Sequence, residues 1–127
     1  MERIRLYDYA GREITRFAQN DVNVQATIKG VAATDALTDT PVVYFHADQK
    51  AAYKSYGVVT GDDIVCIVPS EVLKQPNPVT VTLGYNRSGE EFVTPYYTVI
   101  PMQRRPKLNE DVSREVIGVD DVSIEEA

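Results

Sequence analysis

His46 is the sole histidine of the 127 residues, and Asp48 follows two positions later. On a strand the two would share a face. An imidazole oriented by a carboxylate is the pairing of a general base. No Ser or Cys nucleophile stands at a recognisable spacing from it, so the pair reads as a strand-end histidine beside an incidental acid. Asp62-Asp63 and Glu90-Glu91 are acidic pairs next to glycines. Without the alternating oxygen ligands of a calcium loop they read as turn residues that keep strand ends soluble. Cys66 is alone, which excludes an internal disulfide and a cysteine-based metal site. Within Ile64-Val65-Cys66-Ile67-Val68 it is expected to be a buried, inert thiol. Eight tyrosines could stack on sugars, but most fall in apparent strands, where packing accounts for them first. The expectation is a protein with no catalytic residue, no cofactor and no metal.

These residues need a scaffold, and the stretch Asp21 to Gly30 states its type. Val22, Val24, Ala26 and Ile28 alternate with Asn23, Gln25, Thr27 and Lys29. Successive strand side chains point to opposite faces, so one face is apolar and the other polar. Such a pattern belongs to an antiparallel sheet with one face in a core. The four apolar residues are expected to be buried and the four polar ones more exposed.

Elsewhere, Ile4 to Tyr9 and Glu13 to Phe17 read as a hairpin around Ala10-Gly11, and Asn20-Asp21 as a second turn. Val31 to Thr40 is a loop with room for one helical turn. Val42 to His46 is a nearly continuous apolar strand, suited to an interior position. Ala47 to Tyr56 is ambiguous: Ala51, Ala52, Tyr53 and Tyr56 are compatible with one helical turn, which Gly57 ends quickly. Ile64 to Val68 is the most apolar strand, ended by Pro69. Ser70 to Lys74 reads as a helical turn with Ser70 as N-cap. Val79, Val81 and Leu83 repeat the two-residue period, and a turn at Tyr85 to Glu90 leads into the return strand. Pro95 marks that return strand as an edge or a bulge. Seven or eight short strands with close-set turns predict an all-β protein, an antiparallel β-sandwich spanning residues 1–101.

Composition agrees. An apolar fraction of 43% and a charged fraction of 25% are those of a globular chain. A net charge of −6 argues against a nucleic-acid partner, which would call for a basic face. The N-terminal residues have no apolar run of signal-peptide length, and no stretch reaches the roughly 20 apolar residues of a membrane span. A soluble protein made in the cytoplasm, with no membrane partner, is expected.

Residues 102–127 differ from the rest. From Gln103 on there is no aromatic residue, and four basic residues stand against seven acidic ones. Apolar side chains nevertheless recur at Leu108, Val112, Val116, Ile117, Val119, Val122 and Ile124. A purely solvated tail would not hold them at this density. Arg104-Arg105 with Lys107 is a basic cluster in an acidic chain, equally a solvated hinge or a contact to an acidic neighbour. The segment is read as an extended arm docking on a partner subunit by strand addition. Its partner-binding residues are expected to be Arg104, Arg105, Leu108, Val112, Val116, Val119, Val122 and Ile124.

Three pieces carry a family resemblance: Arg16-Phe17-Ala18-Gln19-Asn20-Asp21 leading into the alternating strand, the Pro69-Ser70-Glu71-Val72-Leu73 turn, and the hairpin Val79 to Ile100. In this order they resemble the N-terminal immunoglobulin-like domain of upper baseplate and fibre-anchoring virion proteins of tailed phages. The similarity covers about residues 14 to 100, and Asn20 stands where the family has glycine. The resemblance implies an immunoglobulin-like fold and a non-enzymatic anchor that fastens receptor-binding parts to the virion. With the chain closing at Ala127, no stem or receptor-binding head is expected. A small accessory subunit then fits: a capsid decoration, a head-fibre base or a baseplate adaptor. Its partners would be capsid, fibre or baseplate subunits, with homo-oligomers in the assembly. The alternative is a small carbohydrate- or ligand-binding β-sandwich using loops at one end.

Overall fold

Strand-forming patterns dominate the computed structural model, which describes residues 2–31, 34–47 and 52–104. In chain order the elements are β1 (Glu2–Arg3), β2 (Arg5–Tyr7), β3 (Phe17–Ala18), β4 (Gln25–Lys29), α1 (Asp35–Thr38), β5 (Thr40–Ala47) and β6 (Tyr53–Tyr56). There follow β7 (Val58–Thr60), β8 (Asp63–Ile67), α2 (Ser70–Leu73), β9 (Val79–Arg87), β10 (Glu90–Ile100) and β11 (Met102–Gln103). The protein is all-β. One sheet has the order β1-β10-β9-β5-β6, a second β2-β4-β8-β7, and β11 pairs with β3. Pairing is antiparallel throughout both sheets except where the two residues of β1 run parallel to β10.

Period-two patterning puts one face of each sheet inside. Ala26 and Ile28 of β4, with Ile64 and Cys66 of β8, share one core with Val43 and Phe45 of β5 and Val79, Val81 and Leu83 of β9. Each large apolar side chain so buried contributes about 1.5–3 kcal/mol before ordering costs. β5 lies between β9 and β6 and buries Val42 as well as Val43, as its continuous apolar run requires.

The chain changes sheets at both flanks. At Ile4 it leaves β10 for β4, the Ile4 amide still donating to Tyr97 O (2.9 Å) while its side chain enters the core. At Gly57 it leaves β5 for β8, the amide donating to Pro41 O (3.0 Å). A Cβ at Gly57 would lie 2.6 Å from Ile64 Cγ2, so the crossing needs glycine.

Several expectations are corrected here. The alternating strand begins at Gln25, not at Asp21: Asn20 (φ 70) and Asn23 (φ 57) are left-handed, which an extended ladder cannot carry. Val22 is consequently 65% exposed, and Val24 is half-buried against the core. The first hairpin shrinks to a single bridge between Tyr7 and Glu13, because Phe17–Ala18 pair instead with β11. Residues 53–56 form a strand against β5 rather than a helical turn. Ser70 is the first residue of α2, and Pro69, which has no side-chain acceptor, takes the cap position. Pro95 does mark a bulge, with Thr94, Pro95 and Tyr96 together opposing Leu83. Thr94 fastens it, its hydroxyl donating to Leu83 O (2.8 Å) and accepting from the Tyr96 amide (3.2 Å).

Candidate functional site

The residues singled out for chemistry are scattered. His46 lies half-buried on the outer face of the five-stranded sheet, opposite Thr80. Asp48 lies outside the described residues. Among the described residues no group of three His, Cys, Asp or Glu could hold a metal ion. Cys66 is buried, and burial pushes its thiol up to about 12, opposed by a hydrogen bond with Ser55. A thiol so placed is inert at neutral pH. Asp62 is in the exposed turn before β8. Of the expected partner-binding residues only Arg104 is described, and it is exposed. Arg105, Leu108, Val112, Val116, Val119, Val122 and Ile124 lie outside the described residues.

Glu91 does more than solubilise a turn. It accepts from Tyr44 Oη (2.9 Å) and Lys54 Nζ (2.7 Å), linking three strands across the outer face of the five-stranded sheet. The two hydrogen bonds hold its carboxyl below the usual range. Burial, then the bond to Glu91, raises the Tyr44 phenol to about 12. The bond to Glu91 also raises the Lys54 ammonium.

A second cluster forms at the end of the sheets where α1 packs on β5 and β9. Thr34 caps α1, accepting from the Ala36 amide (2.9 Å). Arg87 at the end of β9 donates twice to Asp39 Oδ2 (2.6 and 3.0 Å) and stands 3.4 Å from Asp35 Oδ1. Its guanidinium lies over the Tyr85 ring at 5.2 Å, and Tyr85 stacks on Phe92 with centroids 5.2 Å apart. Between the start of α1 and the β10 bulge runs an open groove of about 300 Å³, lined by Thr34, Asp35, Tyr85, Val93, Pro95 and Tyr96. Sequence reasoning missed this constellation. Its parts are some 50 to 60 positions apart, and only sheet register brings them together.

Two surfaces are apolar and open. Among the described residues β6 and β7 each pair on one side only, so residues 53–60 form a continuous edge with Tyr56 58% and Val58 66% exposed. On the outer face of the four-stranded sheet, Val58, Val65, Thr27 and Tyr7 form one cross-strand row, with Ile67 exposed beside it. No helix among the described residues is long and apolar enough to cross a membrane. Compared with known proteins, the chain matches no family model, no curated protein and no solved structure.

Proposed function

We propose that the chain is a non-enzymatic structural subunit of a tailed-phage virion, an immunoglobulin-like β-sandwich that docks on neighbouring capsid, fibre or baseplate subunits. The observation that carries this reading is the edge formed by residues 53–60. Along two successive strands its outer backbone groups have no strand partner among the described residues, and large apolar side chains stand there at Tyr56 and Val58. Proteins usually blunt such an edge with charge, proline or a cover. An edge left open is a site for strand addition, and the Val and Ile residues recurring between 112 and 124 supply apolar side chains for such a strand. The resemblance of residues 14 to 100 to fibre-anchoring domains supports the virion setting.

The test is light scattering of the full chain after size exclusion, beside a chain ending at Arg104. Met102 and Gln103 must be kept, since β11 pairs with β3 and Met102 packs on the core. Oligomers of the full chain that are lost both on truncation and in a Tyr56→Lys, Val58→Lys variant are expected. A full chain that stays monomeric at every concentration, and is not retained by particle subunits, overturns the reading. The groove beside α1 favours a second reading, a small ligand-binding module.

A further inference from the structure

We infer that the groove between α1 and the β10 bulge is a binding site for a neutral saccharide. This deepens the ligand-binding reading and does not depend on the edge at residues 53–60. The volume of about 300 Å³ is at the small end of the range for small-molecule sites, roughly 300–1,000 Å³. A site this open suits a ligand that remains partly hydrated.

The lining specifies the chemistry. Tyr96 and Tyr85 are half-buried against the core; Tyr96, with Pro95 and Val93, offers ring and C–H surface to the apolar face of a pyranose, while Tyr85, already stacked on Phe92 and under Arg87, offers its hydroxyl. Neither phenol hydroxyl is hydrogen-bonded to another described residue, so both remain to donate or accept. The short bonds from Arg87 go to Asp39. Asp35, 3.4 Å from the guanidinium and with its side chain 58% exposed, keeps oxygens free to accept from ligand hydroxyls. The platform is also fixed. Thr94 locks the bulge, and Arg87 and Phe92 hold Tyr85, so little ordering cost falls on binding.

Charge selects against anionic ligands. Two carboxylates and a protein of net charge −6 repel anions. With anions disfavoured, the acceptor oxygens of Asp35 and the tyrosine hydroxyls beside an aromatic surface suit a polyhydroxylated ligand with an apolar face and no negative charge.

The experiment is an amide NMR titration of the full chain with methyl glycosides of glucose, galactose, mannose and N-acetylglucosamine, with sialyllactose as the anionic arm. Saturable shifts confined to Thr34–Ala36, Tyr85, Val93, Thr94 and Tyr96, from at least one neutral glycoside, are expected. Asp35→Ala should weaken that binding about fivefold, the loss of one hydrogen bond, with the rest of the spectrum unchanged. Asp62→Ala, in a remote turn, should leave it intact. If sialyllactose alone perturbs the groove, the neutral assignment fails while the ligand-binding reading stands. If no sugar moves these amides, both fail.

Discussion

Tyr44 and Gly84 meet on the outer face of the five-stranded sheet, where a methyl group added at position 84 would come 2.6 Å from Tyr44 Cε2. The same methyl would lie 2.5 Å from the Phe92 carbonyl oxygen in the neighbouring strand. The ring could rotate away, but the carbonyl belongs to a paired strand and cannot. With no Cβ beneath it, Tyr44 crosses β9 to reach Glu91 and closes the three-strand link with Lys54.

Gly84→Ala is therefore expected to destabilise the fold by about 1–3 kcal/mol, the cost of overpacking a tight site. Urea denaturation of the two proteins measures it. A midpoint equal to that of the parent would show that the sheet opens freely at this point.

Val22 and Ile28 are separated by three residue pairs of the apparent alternation, yet their environments are opposite. Val22→Asp should change stability by no more than about 0.5 kcal/mol, as for an ordinary surface site. Ile28→Asp, which places an unpaired carboxylate at a fully buried position, should cost several kcal/mol or abolish folding. Thermal melts of both variants decide the matter, and equal losses would restore Val22 to the core.

Alkaline pH should unfold this protein more readily than acid does. The Tyr44 phenol and the Cys66 thiol both rise to about 12 in the fold, from ordinary values of 10.0 and 9.0. Each holds its proton more tightly when folded, so its contribution is complete below the ordinary value and is lost as pH rises toward 12. Lys54, also raised, adds in the same direction. Glu91, lowered, contributes above its ordinary 4.5 and loses that only as pH falls below it. Denaturation midpoints should hold steady near neutrality and fall from about pH 9 to 12. Cys66→Ala should flatten the early part of that fall and Tyr44→Phe the later part. A flat alkaline limb in the parent protein would refute the assignment.

The sequence by itself determined the class of the fold and much of its punctuation. Val79, Val81 and Leu83, with Ala26 and Ile28, alternate because a strand alternates, and they are buried as that period demands. Gly11 and Asn20 turn where their chemistry permits positive φ, and Pro95 forces a bulge because it has no amide to give. These are local rules, and local residues suffice to read them. Registers between distant strands are a different matter. Nothing near Val22 announces that left-handed Asn23 delays the strand to Gln25, or that Phe17 will pair with Met102 rather than return along Tyr7. The joining of Arg87 to Asp39, and of Tyr44 and Lys54 to Glu91, spans 37 to 48 positions. The groove is likewise a product of register, because a one-residue slip of β10 on β9 would carry the bulge, and Tyr96 with it, away from α1. Pattern shows which face of a strand is buried, but only the folded chain, satisfying all its backbone pairs at once, decides which side chains meet.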